Sequence, residues 1–175
     1  MPLSLSEAIH AYTEGAVFTA IDMETTGLDP KRDRIVEIGA VKFDSKGPIA
    51  RFSVLINPGI PMPPAAERVN KISDEMLKGK PFLDTVLPEF LRFTEKTVIV
   101  AHNAPFDCGF INEKCHLSNK IADTLAFSRE VFPGLPSYSL QNLAADLRIS
   151  ALEAHRAEDD ARLCMEIFTR CMKIM

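Results

Sequence analysis

Phe18-Thr-Ala-Ile-Asp-Met-Glu-Thr-Thr-Gly27 is the stretch on which the reading of this chain turns. Residues 17 to 24 alternate as a strand, so Asp22 and Glu24 point to one face, roughly 7 Å apart at the usual strand rise. Phe18 and Ala20 precede them on that face. The two acids therefore prolong a core-facing row to the point where the strand runs out in a Thr-Thr-Gly turn. Carboxylates placed like this cost desolvation energy unless something positive meets them. A strand end with two solvated acids is the plainer reading, and the rest of the chain decides between the two.

A length of 175 residues suits one domain with a substantial core. Its 46% hydrophobic and 25% charged residues are ordinary for a soluble globular protein rather than a disordered one. Cys108, Cys115, Cys164 and Cys171 form no CxxC pair, and they read as buried free thiols in a reducing cytoplasm. No stretch approaches the roughly 20 apolar residues of a membrane span, and no basic-then-apolar leader opens the chain. A membrane partner is not expected. The net charge of −4 argues only weakly against a polyanionic partner, because acids gathered in one metal site would account for the excess.

A short amphipathic helix is expected over residues 3 to 12. Arg34 to Phe43 alternates as a second strand, with Ile35, Glu37, Gly39 and Val41 opposite Val36, Ile38 and Ala40. Apolar residues on both faces imply cover on both sides. A turn at 45–48 leads to a third strand over 51–56, and the short connections imply an antiparallel meander. Asn57 to Pro64 carries four prolines and reads as a loop. Helical pieces follow near 65–78 and over 84–95, then a buried strand at 97–101 and a helix at 105–117. A brief strand near 119–122 precedes helices at 123–131, 139–147 and 157–173. This order points to a mixed sheet flanked by helices.

Two further acids fall out of pattern. On the helix opening near Pro105, Asp107 shares a face with Phe110 and Ile111, and its first-turn position lets the helix dipole favour the ionised form. A simple N-terminal capping acid is the alternative. The last helix carries a stripe of Ala157, Ala161, Cys164, Phe168, Cys171 and Met175. Asp160 falls at the edge of that stripe, and Asp159 is expected to be its solvated neighbour on the opposite side. His155 lies five residues upstream of Asp160 in the preceding loop, a candidate general base beside such acids.

Together these motifs resemble the DEDDh class of 3′–5′ exonucleases, most closely the type used as proofreading (epsilon) subunits of bacterial DNA polymerase III. Asp-Met-Glu-Thr-Thr-Gly at 22–27, His-Asn-Ala-Pro-Phe-Asp at 102–107, and His155 with Asp160 fit the three family motifs in order. Weaker matches are Val36-Glu-Ile-Gly39, Asp74-Glu-Met-Leu77, Asp123-Thr-Leu125 and Ser139-Leu140. The resemblance implies a ribonuclease H-like α/β fold, a five-stranded mixed sheet with one antiparallel strand and helices on both faces. Residues 16–175 would form the exonuclease domain and 1–15 an N-terminal extension. The sister subclass has a tyrosine where Arg156 stands, which makes His155 the expected base.

The resemblance further implies that Asp22, Glu24, Asp107 and Asp160 hold two divalent ions, Mg²⁺ or Mn²⁺, and that all four with His155 are catalytic. The expected substrate is a nucleic-acid 3′ end, single-stranded DNA first. Substrate contacts are expected from backbone groups of Thr25 and Thr26, from His102 and Asn103, and from Phe106 stacking on the last base, with core packing the alternative for Phe106. Under the resemblance Asn70 stands where proofreading relatives often carry a loop histidine, and it joins that set. A polymerase subunit is a candidate partner under the resemblance, although the chain ends at Met175 without the docking tail of long epsilon subunits. The competing readings are RNA 3′-end trimming, which should bring basic clusters that are missing here, and a non-catalytic scaffold, which would need none of the four acids.

Overall fold

The computed structural model describes residues 1–173, so Met175 of the last-helix stripe lies outside the described residues. Five strands, β1 (Phe18–Thr25), β2 (Ile35–Asp44), β3 (Gly47–Leu55), β4 (Val98–Ala101) and β5 (Ile121–Asp123), form one sheet in the order β3-β2-β1-β4-β5. β2 runs antiparallel to both β1 and β3, while β1, β4 and β5 pair in parallel. The sheet therefore has one reversed strand, as expected. β1, which carries the Phe18–Glu24 alternation, sits at its centre.

The helices are α1 (Leu5–Thr13), α2 (Pro64–Asn70), α3 (Asp74–Leu77), α4 (Leu83–Thr94), α5 (Ala104–Asn112), α6 (Thr124–Val131), α7 (Leu140–Asp146) and α8 (Ala157–Met172). On one face of the sheet α1, α6, α7 and α8 bury Phe18, Ala20, Val41 and Phe43, with Phe168 of α8 packed 4.9 Å from the Phe18 ring centroid. On the other face α4 and α5 cover Ile21, Met23, Ile38, Ala40 and Ile99. The two-sided burial of β2 follows directly from its apolar residues on both faces. α1 begins with a capping box in which the Ser4 side chain and Glu7 satisfy each other's backbone N–H groups.

Some boundaries differ from those read in the sequence. β3 starts at Gly47 rather than 51, because the β2–β3 ladder continues through Asp44↔Gly47 past an irregularity at Lys42/Phe43. Pro48 is tolerated there because β3 is an edge strand. α5 stops at Asn112, short of 117, where the Asn112 side chain accepts the Leu117 N–H at 3.0 Å and turns the chain. The four cysteines are free, three of them buried and Cys115 half-buried.

One close approach fixes where α8 meets the sheet. A Cβ on Gly39 would lie 2.1 Å from the Ala157 carbonyl carbon and 2.2 Å from the Glu158 nitrogen. Only glycine lets the start of α8 rest on β2 so closely, and that contact brings the Asp160 turn over the end of β1. Gly39→Ala is expected to destabilise the protein by about 1–3 kcal/mol or more, as overpacking against backbone does. A thermal melt should show a fall of roughly 2–4 °C per kcal/mol; an unchanged melting temperature would contradict this account of the α8 contact.

Candidate active site

The site forms where β1 and β4 end. Asp22 and Glu24 come from β1, Asp107 from the first turn of α5 after β4, Asp160 from the first turn of α8, and His155 from the loop before it. Asp22, Glu24, His102, Gln141, His155 and Asp160 line a cleft of about 390 Å³. One carboxylate oxygen of Glu24, one of Asp160 and a ring nitrogen of His155 lie within 4.8 Å of one another, close enough to hold a metal ion. Asp107 is buried behind them, and its Oδ1 is the one buried side-chain oxygen or nitrogen without a hydrogen-bond partner among the described residues.

Such a cluster resists ionisation. Burial, then the charges of Asp107, Glu24, Asp160 and Glu37, hold the Asp22 carboxyl well above its usual range. Burial, then the charges of Asp160, Glu37 and Asp107, push Glu24 up to about 8, against a smaller opposing pull from Arg156. Burial raises Asp107 to about 7, against a smaller opposing pull from the nearby Met23 and Asp107 backbone N–H groups, and raises Asp160 to about 6, against Gln141 and His155. Charges arranged this way call for a positive partner, and the unpartnered Asp107 oxygen together with the carboxylate oxygens of Asp22, Glu24 and Asp160 fits a hard divalent ion.

The neighbours of the acids are well defined. Gln141 Nε2 donates to Asp160 Oδ1 at 2.6 Å. Nothing in the sequence singled out Gln141, although the Ser139-Leu140 match ends one residue before it. Glu37 is 1% exposed and grips the start of α8: it accepts from Arg156 Nη2 at 2.8 Å, from Arg156 Nε at 3.2 Å, and from the Ala157 N–H at 3.0 Å. Arg156 itself has no side-chain capping bond, so Glu37 supplies the negative charge that the helix N-terminus favours. The signal for Glu37 was present, an acid on a strand whose two faces are both covered.

Several expected contacts are committed inside the fold. His102 uses both ring nitrogens, Nδ1 with Thr124 Oγ1 at 2.9 Å and Nε2 with the Tyr138 carbonyl at 2.7 Å. The carbonyl requires Nε2 to carry the proton, and burial holds the imidazole pKa down. Asn70 is 2% exposed; its Nδ2 donates to the Thr25 carbonyl at 3.3 Å and its Oδ1 accepts the Ile72 N–H. It is placed to shape the Thr25 turn from beneath rather than to face a ligand. Thr25 Oγ1 donates to the Gly27 carbonyl, and the Thr26 N–H donates to Arg34, so both residues close the 25–34 loop. Asn103, in the left-handed region at φ 66°, is exposed and donates its N–H to Asp123 Oδ1. Phe106 is half-buried, with its ring centroid 5.2 Å from that of Phe110.

Asp159 corrects the sequence reading. It is 9% exposed rather than solvated. A helical wheel assigns its side of α8 to water, but the 150–155 segment folds back over that side. There Asp159 Oδ2 accepts the Leu152 and Glu153 N–H groups at 2.7 and 2.9 Å, and Oδ1 accepts from Arg162 Nε at 2.8 Å. Burial alone would raise this carboxyl, but these bonds bring it below its usual value.

Comparison with known proteins agrees with the geometry. The RNase T exonuclease family model matches residues 19–168. The epsilon subunit of DNA polymerase III from Treponema pallidum (strain Nichols) is 51% identical over 169 residues, covering 92% of this chain and 79% of that protein. The PolC-type DNA polymerase III of Caldanaerobacter subterraneus subsp. tengcongensis is 38% identical over 161 residues, 89% of this chain but only 12% of that much longer protein. Among solved structures, exonuclease X in complex with 5′ overhanging duplex DNA superposes with a TM-score of 0.76 at 26% identity, covering 89% of this chain and 90% of that one. With its ribonuclease H-like sheet and these matches, the chain belongs to the RNase T exonuclease family and is a 3′–5′ exonuclease of the polymerase III epsilon type.

Proposed function

We propose that the substrate is the 3′ end of DNA, single-stranded DNA foremost, cut one residue at a time to release nucleoside 5′-monophosphates. We further propose that Asp22, Glu24, Asp107 and Asp160 hold two divalent ions, Mg²⁺ or Mn²⁺. The buried, unpartnered Asp107 Oδ1 among mutually repelling acids carries this reading. When bound, such ions supply Lewis-acid stabilisation of charge on the phosphodiester oxygens. The chain does the rest. Gln141 orients Asp160 from the cleft wall, and the Thr25–Thr26 turn, braced by Asn70, borders the end of the strand. Asn103 and the half-exposed ring of Phe106 flank the terminal nucleotide, with a stacking contact that tolerates any base.

His155 is exposed beside Glu24 and Asp160 and accepts the proton of the attacking water. The Treponema relative is named as a polymerase III subunit, which supports a polymerase as partner of this chain as well. Among the described residues no helix is long and apolar enough to cross a membrane. The free thiols fit the cytoplasmic location expected of a protein working on DNA.

The substrate proposal is tested by incubating the protein with matched single-stranded DNA and RNA in Mg²⁺, Mn²⁺ or EDTA. Mononucleotide release from DNA with either metal, and none in EDTA, is expected; RNA degraded faster than DNA would favour the RNA-trimming reading, and activity in EDTA would refute the metal site. His155→Gln should lower turnover by about 10²–10⁴-fold while binding Mn²⁺ as tightly as wild type. Unchanged turnover, or loss of metal binding, would remove His155 from the role of base.

The raised carboxyls also set the pH behaviour of the metal-free protein. A group whose pKa is higher folded than unfolded stabilises the fold while protonated and loses that contribution as pH climbs through the folded value. With Asp160 at about 6, Asp107 at about 7, Glu24 at about 8 and Asp22 raised as well, the contribution is full below the unfolded carboxyl range and stability should fall from roughly pH 4 to 8.5. Saturating Mn²⁺ should reduce that fall, because bound carboxylates are already ionised, and Asp22→Asn should reduce it without metal. Melting temperatures across this range check the sign; a metal-free protein that grows steadily more stable toward pH 8.5 would contradict it.

A further inference from the structure

We propose that Asp159 and Arg162 form a clasp that positions His155, fixing the backbone from which the base projects without touching substrate themselves. This rests on His155 acting as base. The loop that carries His155 has little apolar packing to hold it. Residues 150–155 are exposed, and Leu152, its one large apolar side chain, is 80% exposed. Hydrophobic burial therefore does not pin this segment to the domain, and polar anchors must.

Those anchors are specific. Asp159 Oδ2 takes two successive loop N–H groups, of Leu152 and Glu153. Arg162 bonds Asp159 Oδ1 through Nε and the Ser150 carbonyl through Nη2 at 2.6 Å, and it pairs with Glu166 through Nη1. The pair thus holds the loop at residues 150, 152 and 153. On the other side of His155, Arg156 is locked onto buried Glu37. Only Ala154 and His155 lie between the two anchor points. They form the centre of a tight turn closed by Arg156 N–H to the Glu153 carbonyl, with His155 at φ 62° as in the third position of type II turns. A left-handed non-glycine residue persists only where its surroundings over-determine it, and here the two anchors do so.

An Asp–Arg pair three residues apart on a helix could equally be a surface staple for the first turn of α8. Two observations distinguish the clasp from that. Asp159 and Arg162 have only 9% and 12% of their side chains exposed, and most of their bonds go to loop backbone rather than to each other. A staple would leave the chemistry untouched when cut; a clasp would let His155 drift, and misplacement by about 1 Å can cost on the order of 10²-fold in rate.

The test is a double-mutant cycle on single-stranded DNA at saturating Mn²⁺, with wild type, Asp159→Asn, His155→Gln and the double variant. Asp159→Asn should lower kcat by about 10-fold or more with KM little changed, and should speed amide exchange across residues 150–155. In the His155→Gln background the same substitution should remove little further activity, since its effect runs through a base already gone. A loss that multiplies independently of His155, or wild-type kcat in folded Asp159→Asn, overturns the clasp while His155→Gln still reports on the base. Wild-type turnover in His155→Gln overturns the base and the clasp with it. Should Asp159→Asn fail to fold, Arg162→Gln enters the same cycle and is judged by the same outcomes.

Discussion

Mutual repulsion among Asp22, Glu24, Asp107 and Asp160 is the constraint that the rest of the structure answers to. Carboxylates crowded into a partly desolvated pocket favour either protonation or separation, and neither suits a site built to meet a cation. The fold holds them together by placing each on a rigid element whose own packing is secured elsewhere. Asp22 and Glu24 ride the central strand, anchored beneath by the Phe18–Phe168 aromatic cluster. Asp107 is set by the first turn of a helix buried against Ile99 and Ala101. Asp160 is delivered by the approach of α8 to Gly39.

Around the acids lies a set of compensating contacts. Glu37 adds a negative charge close to the cluster, yet it is paired with Arg156, whose charge also reaches Glu24. Glu37 is buried while Arg156 is partly exposed, so removing Arg156 leaves a buried carboxylate short of its partner, at a cost of about 1–3 kcal/mol. That makes the Glu37–Arg156 contact a mount for the start of α8 rather than decoration of its surface. His102, neutral and bonded at both nitrogens, ties the end of β4 to Thr124 and to the segment before α7, from which Gln141 reaches Asp160. The site is thus braced from β2, α6 and α7 as well as from the strands that carry it.

Much of this was legible in the sequence. Alternation around Asp22 and Glu24 placed both acids on one face of the central strand, the doubly apolar β2 announced cover on both sides, and the stripe on α8 turned Asp160 inward. What escaped was contact that no single element's periodicity describes. The wheel assigned Asp159 to solvent because periodicity describes a helix and its core, not a loop that folds back over the outer side. Gln141 could not be found, since its partner is 19 residues away and no pattern links them. His102 and Asn70 had the right chemistry to meet a ligand, and only their surroundings reveal how far the fold already uses them.

The central claim is that Asp107 Oδ1 is left without a protein partner because a metal ion takes that place. Anomalous scattering from crystals grown with Mn²⁺ tests this most directly. The account predicts a manganese peak at bonding distance from Asp107 Oδ1. Crystals saturated with Mn²⁺ that show no peak beside Asp107, its oxygen bonded instead to protein or to water alone, would contradict it.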